Sequence, residues 1–176
     1  MMMESRSFLW MSRIGLTLEW VALGVWVGGL IILVAAVIPA VFNTFGGQDS
    51  GGFFLTRAFE GFNRAVMVAM AIMIAGLVWR RSVQHPAMTP TSFEMVVLGV
   101  MVLIAGIIIG VLHPQAAALQ AEAFAIKDEA ARKAALGAFF KLHMPTRVLY
   151  MVNLCLGIVL TGLRANSTLR VSKGQV

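Results

Sequence analysis

Four long apolar runs alternate with polar segments along the chain. The run 95–112, "MVVLGVMVLIAGIIIGVL", contains no charged residue, and the run 21–42 is equally apolar. A helix needs about 20 apolar residues to cross the hydrocarbon core of a bilayer, with a range of about 17–25. Two further runs, 65–79 and 148–163, reach this length when their polar flanks lie at the membrane interface. The pattern therefore predicts four transmembrane helices, at approximately 18–42, 62–80, 93–113 and 145–164. Thr91 with Glu94 three residues later predicts a capping box at the start of the third helix.

Transmembrane strands are excluded by the same pattern. A strand in a membrane barrel alternates lipid-facing with lumen-facing residues, whereas these runs are apolar on every side. Helices and closed barrels are the structures that satisfy every backbone polar group in lipid. We therefore expect an all-α fold, an integral membrane four-helix bundle that forms a single domain over residues 1–176.

The segment between the third and fourth runs has a different character. It is rich in alanine, the best helix former, and Asp128 with Arg132 makes an i,i+4 pair in the favourable direction. Its apolar residues recur on one side, as in helices that lie at a membrane surface. We predict an amphipathic interfacial helix at approximately 115–141, with Pro114 at its start and Pro145 at the start of the fourth transmembrane helix.

Composition supports a membrane location and narrows the range of partners. The chain is 59% hydrophobic and 12% charged, whereas soluble domains carry about 25% charged residues. The net charge of +6 is spread between apolar runs, which favours contact with lipid headgroups over nucleic acid. The single cysteine, Cys155, excludes an internal disulfide and a cysteine-cluster metal site.

The distribution of basic residues indicates an orientation. Four crossings place both termini on one side, and the 14 lysines and arginines divide equally between the two sides. The segments on the side of the termini are shorter and contain fewer acids, so the positive-inside rule favours cytoplasmic termini. We therefore predict an inner (plasma) membrane protein with both termini in the cytoplasm.

Glycines at GxxxG spacing predict close helix contacts. In lipid, association is driven by close backbone approach at small residues, because apolar side chains gain little by meeting one another. Whether these contacts lie within the bundle or with a partner is left open by the sequence. The predicted packing residues are Gly24, Gly28, Gly106, Gly110 and Gly157.

Few polar side chains fall near the apolar runs. Glu19, beside Trp20, is expected to face headgroups at the membrane interface, and Asn153 is expected to hydrogen-bond another helix. The chain contains no nucleophile–base motif, phosphate-binding loop or HExxH sequence. We therefore expect neither an enzyme nor a bound cofactor.

Two histidines provide an alternative. His113 ends the third predicted helix and His143 precedes the fourth, so both lie at the same membrane face, and Met144 is adjacent. Imidazole and thioether groups suit soft metals such as Cu(I), and two histidines can ligate a haem iron. The other interpretation is that both histidines extend to the headgroup region and hydrogen-bond there.

Several short motifs resemble a known family. The stretches "WVGGLIILVAAVIPAVF", "FEGFNR" and "FFKLHMPTRVLYMVNL" are similar to a bacterial domain-of-unknown-function family related to transmembrane protein 205. The likeness extends over about residues 20–163 and implies a four-helix membrane protein without an established reaction. The residues that match the family's pattern are Trp26, Gly28, Gly29, Pro39, Phe42, Asn63, Phe140, His143 and Asn153.

A weaker likeness is to copper-resistance D-type membrane proteins, which share the W-x-G-G motif. Their histidine at the start of that helix is replaced here by Glu19 and Trp20. Our first hypothesis is a non-catalytic accessory or structural subunit that packs against other membrane proteins or a second copy of itself. The alternative is a protein that handles copper-like metals or haem through His113, His143 and Met144.

Overall fold

Helices make up almost all of the described structure. The computed structural model describes residues 6–46, 49–83 and 89–173, and no strand occurs in these ranges. Two π-helical turns, Leu33–Val37 and Ile108–Leu112, join successive helices without interrupting them. The α-helices are α1 (Arg6–Ile32), α2 (Ile38–Phe45), α3 (Asp49–Val83), α4 (Ser92–Ile107), α5 (His113–Ala125) and α6 (Glu129–Lys173).

These elements form four long helices. The first comprises α1 and α2, the second is α3, the third comprises α4 and α5, and the fourth is α6. Each contains a segment long and apolar enough to cross a membrane, which confirms the predicted all-α four-helix membrane fold. The segments are Trp10–Phe45, Ser50–Val83, Ser92–Ala125 and Glu129–Ser167.

Each π-helical turn ends two residues before a proline. Pro39 and Pro114 lie in the first turns of α2 and α5. A proline ring clashes with the carbonyl four residues earlier, which it also deprives of a hydrogen-bond donor. Both of those carbonyls, at Ala35 and Gly110, lie in the π-helical turns. The wider turns therefore let the first and third helices continue through their prolines.

The separate interfacial helix predicted at 115–141 is not formed. The third long helix continues to Ala125, and the chain leaves the helical conformation at Ile126. The fourth begins at Glu129, where the side chain of Asp128 accepts a hydrogen bond from the N–H of Ala131 at 2.8 Å. The alanine-rich segment is thus divided between two helices that extend beyond the apolar runs, because its high helix propensity prolongs each of them.

Pro145 also differs from its predicted position. It lies inside α6 rather than at a helix start. The hydroxyl of Thr146 donates to the carbonyl of Leu142 at 2.9 Å, next to the backbone bond that proline cannot make. The first part of α6 packs along α5, and this packing keeps the helix continuous through the proline.

The start of the third helix agrees with its predicted cap in part. Thr91 is the N-cap, and its hydroxyl accepts a hydrogen bond from the N–H of Glu94 at 3.1 Å. The side chain of Glu94 does not complete the reciprocal capping box. It is buried in the bundle instead, with 3% of its surface exposed.

Packing places the fourth helix between the first and the third. α6 packs against α1, α4 and α5, and α1 packs along α3. Large side chains fill the interior of this arrangement, among them Leu23, Met73, Leu98, Met101 and Leu160. The second and third long helices touch mainly near their ends, so a cleft separates them in between.

The outer surface is apolar along every long helix. Val68, Val78 and Leu103 expose about three-fifths of their surface, as do Ile32 and Val148. A soluble monomer rarely exposes a contiguous apolar area of this extent. These side chains form the surface that lipid covers.

The predicted packing glycines divide into two groups. A methyl group built at Gly157 would lie 2.6 Å from Cγ2 of Val27 and 3.3 Å from Cε of Met101. Gly157 therefore permits close approach of the first, third and fourth helices. The remaining four have no atom of the described chain within 4 Å of such a methyl group, beyond their own helix and neighbours: Gly24, Gly28, Gly106 and Gly110.

Candidate functional site

One charged side chain from each long helix enters a buried cluster at one end of the bundle. These residues, here called the charge cluster, are Glu19, Arg80, Glu94 and Arg164. Their exposed fractions are 2%, 7%, 3% and 5%. Charges this deeply buried are rare unless they are paired, and inside a membrane protein they are candidates for a functional site.

The two acids and two bases alternate around the cluster. Nη2 of Arg80 lies 2.6 Å from Oε1 of Glu94 and 3.3 Å from Oε2 of Glu19. Arg164 completes the ring, with Nη2 2.8 Å from Oε2 of Glu19 and Nε 3.0 Å from Oε1 of Glu94. Each charge therefore contacts two of opposite sign, and the cluster as a whole is neutral.

The positions of these residues along the chain explain why they meet. Arg80 and Arg164 immediately follow apolar runs, whereas Glu94 immediately precedes one and Glu19 lies two residues before one. The helices run in alternating directions, so all four positions reach the same membrane face. Gly76 leaves room for the Glu19 carboxylate, which a Cβ at that position would overlap.

The burial of Glu19 corrects its predicted position. It was expected to face headgroups, but it points into the bundle from within a helix that began at Arg6. Desolvating a carboxylate is costly, and the two arginines compensate for it. A sequence signal was present: two acids and two bases flank the four apolar runs at one face, one on each helix. Distance from the apolar run alone could not show whether each side chain points inward or outward.

A second polar group lies inside the bundle. The hydroxyl of Tyr150 donates to Oδ1 of Asn63 at 2.9 Å, and Nδ2 of Asn153 donates to the backbone carbonyl of Met101 at 3.0 Å. The predicted interhelical bond of Asn153 is thus confirmed. Asn63, Tyr150 and Asn153 line a cavity of about 10 Å³ together with Trp26, which is about the space of one water.

The side chains of the metal hypothesis have different surroundings. His113 lines the cleft between the second and third helices. The ring of His143 stacks on Phe139 of its own helix, with centroids 5.1 Å apart, and Met144 is 59% exposed. Among the described residues, no three His, Cys, Asp or Glu side chains are grouped so that they could hold a metal ion.

The residues that carry the family likeness occupy several kinds of position. Trp26, Asn63 and Asn153 line the internal cavity. A methyl group built at Gly29 would lie 2.9 Å from the ring of Phe62. The rest of the set lies away from this cavity: half-buried Gly28, Pro39 after its π-helical turn, half-buried His143, and the exposed Phe42 and Phe140.

The fold and these sites define an integral membrane protein with four candidate spanning helices and a buried, compensated charge cluster. A family model described as "Domain of unknown function (DUF4149)" matches residues 21–125. The chain belongs to this family. The matched segment includes Arg80 and Glu94 of the charge cluster, whereas Glu19 and Arg164 lie outside it.

No curated protein and no solved structure matches the chain. This match agrees with the resemblance to a domain-of-unknown-function family that the sequence motifs indicated. No match connects the chain with transmembrane protein 205 or with copper-resistance proteins.

Proposed function

We propose that this protein is a non-catalytic accessory subunit whose third helix binds a helix of another membrane protein. The observation that carries the proposal is the outward position of Gly106 and Gly110. Both are exposed on the apolar surface, and a methyl group at either would meet no other atom of the described chain within 4 Å. No other helix of the described bundle therefore packs closely against these two glycines.

The spacing of the third helix extends this surface. Gly99, Leu103, Gly106 and Gly110 follow one another at intervals of four, three and four residues, which places them on one helix face. Small residues at such a face let a second backbone come close, and this contact drives association in lipid. Gly99 is also exposed and has open space beside it in the described structure.

A non-catalytic role is supported by the way the buried charges are used. Each member of the charge cluster lies within 3.3 Å of two opposite charges. Such mutual compensation favours a structural role that holds four helices in register. Reactive carboxylates or bases would instead be expected to face a cavity that admits a substrate.

The double substitution Gly106→Leu with Gly110→Leu should reduce the co-purifying partner at least about tenfold. Two bulky side chains would keep the partner's backbone away, and a loss of about 1.4 kcal/mol in binding already gives this factor. The test is mild solubilisation of the tagged full chain from native membranes, followed by quantitative mass spectrometry of the proteins that co-migrate.

The matched control is Val100→Leu with Val111→Leu. These valines are 39% and 47% exposed on an adjacent face of the same helix, and the partner should remain bound to this variant. Undiminished recovery with the glycine variant would contradict the proposal. If a second copy of this chain is the protein lost, the surface forms a homo-oligomer instead.

The same preparation tests the alternative function. A visible spectrum and metal analysis of the purified peak report on haem and copper-like metals. Stoichiometric metal or haem that disappears in His143→Ala would replace the accessory role with the metal-handling role of His113, His143 and Met144.

We place the protein in the plasma membrane, with both termini in the cytoplasm. Four spanning helices keep the termini on one side, and the positive-inside rule favours the cytoplasm for that side because its basic residues lie in shorter segments with fewer acids. In a Cys155→Ala background, a membrane-impermeant maleimide on intact cells should label Ala130→Cys and leave Asn166→Cys unlabelled. The reverse pattern would invert the orientation.

A further inference from the structure

The cleft between the second and third long helices has the size of a ligand site. Its volume is about 470 Å³, within the range of about 300–1,000 Å³ typical of such sites. Phe53 and Phe124 close one end, with ring centroids 4.7 Å apart, and a hydrogen bond from Thr56 to Gln120 lies beside them. From Thr56 to Met67 the cleft extends about 16 Å along the helix, at 1.5 Å per residue.

Polarity changes along the cleft in the same direction as across a membrane interface. Arg57, Glu60 and Arg64 line it before the apolar run of the second helix, and His113 lines it just after that of the third. Its inner end is lined by Met67 and Ile109, at the level of the hydrocarbon core. A ligand that fills the cleft must therefore have a polar head and an apolar tail.

The charges at the polar end favour an anionic head. Glu60 pairs with Arg57 at 2.8 Å and with Arg64 at 2.6 Å. Two arginines against one glutamate leave an excess of one positive charge. The arginine side chains are 81% and 72% exposed, so both can turn toward a ligand oxygen, and guanidinium groups bind phosphate oxygens through paired hydrogen bonds.

We infer that the cleft binds one phospholipid, with its anionic phosphate among Arg57, Arg64 and His113 and an acyl chain along Met67 and Ile109. The lipid rather than a free anion is favoured because the inner end of the cleft is apolar and leads to the lipid-covered surface. The site is at the membrane face opposite the charge cluster and is separate from the glycine surface of the third helix.

The first test is native mass spectrometry of the full chain in detergent, with phosphatidylglycerol, phosphatidylcholine or inorganic phosphate as the probe. Phosphatidylglycerol should bind with one-to-one stoichiometry and more tightly than phosphatidylcholine. Equal occupancy by both lipids would overturn the anionic-head assignment. Inorganic phosphate that binds and displaces phosphatidylglycerol would show a free-anion site and overturn the lipid assignment.

Matched variants locate the binding site. Arg64→Gln should weaken phosphatidylglycerol binding about tenfold, the loss expected for one charge-assisted hydrogen bond. Arg147→Gln should leave it unchanged, because this exposed arginine is at the same membrane face but does not line the cleft.

A second pair of variants blocks the cleft directly. Ala117→Trp fills the space between the helices and should abolish binding, whereas Ala118→Trp, at the neighbouring exposed position, should not. If phosphatidylglycerol binds Arg64→Gln and Ala117→Trp as tightly as the unchanged protein, the lipid is elsewhere and the assignment is wrong. Should Ala117→Trp fail to fold, Arg64→Gln decides the question.

Discussion

Replacing Glu19 with glutamine should lower the free energy of unfolding by about 3–5 kcal/mol. The neutral side chain would leave Arg80 and Arg164 buried with one counter-charge, Glu94, between them. Removing one partner from a buried ion pair has costs of this size, because the charge left behind cannot regain its hydration. The measurement is equilibrium unfolding of the purified protein in mixed detergent micelles, followed by circular dichroism.

The exposed ion pairs of the second helix provide a matched control. Glu60→Gln removes a carboxylate that also contacts two arginines, but those arginines are largely in solvent. Ion pairs in solvent contribute little to stability, so the control should change stability little. Similar losses for Glu19→Gln and Glu60→Gln would show that burial of the charge cluster is not the source of stability.

The double variant Glu19→Gln with Arg164→Gln separates charge balance from packing. It removes one acid and one base and leaves Arg80 paired with Glu94 at 2.6 Å. The double variant should therefore be more stable than the sum of the two single losses predicts, with a coupling energy of about 0.5–3 kcal/mol. Strict additivity would argue against direct pairing of Glu19 with Arg164.

The second large effect is expected at Gly157, where the first, third and fourth long helices approach closely. Gly157→Ala should destabilise the protein by about 1–3 kcal/mol, although alanine alone favours a helix by about 1 kcal/mol. The added methyl group would lie 2.6 Å from Cγ2 of Val27. Val27 cannot retreat freely because it packs against the buried core.

Gly162→Ala is the matched control on the same helix. It is exposed, and a methyl group there meets nothing within 4 Å in the described chain. This variant should keep or slightly raise stability through helix propensity alone. The two variants are compared by the same detergent unfolding measurement. A loss at Gly162 equal to that at Gly157 would contradict the close-approach explanation.

Prediction from the sequence succeeded where the physical cause is local. The four apolar runs predict four spanning helices because the bilayer demands about 20 apolar residues in each. The cap at Thr91 follows from residues three positions apart, and its hydroxyl bond to Glu94 is present. Asn153 was expected to bond another helix because an amide in an apolar run has few other partners, and it bonds the Met101 carbonyl.

Prediction from the sequence was wrong at the prolines, where it placed the starts of helices. Pro114 and Pro145 were expected at helix starts, yet helices run through both positions. A π-helical turn accommodates the first, and packing on α5 maintains the helix around the second. A proline inside a helix removes one backbone hydrogen bond and clashes with the preceding turn, and the surrounding contacts determine whether this free-energy cost ends the helix.

By itself, the sequence determined that the protein lies in a membrane, how many helices span it, and at which end of the bundle each charged residue lies. Only the tertiary structure decided which of those residues face inward. Glu19 and Glu60 both lie just before apolar runs, yet one is buried between two arginines and the other remains at an open cleft.

The same holds for the glycines. Gly157 packs inside the bundle while Gly106 and Gly110 face outward. The physical reason concerns the rotation of each helix about its own axis. Every side of a spanning helix is apolar, so the hydropathy of the sequence sets the length of the helix but does not indicate which side faces the bundle. Its rotation is set by contacts with neighbours that are distant in sequence.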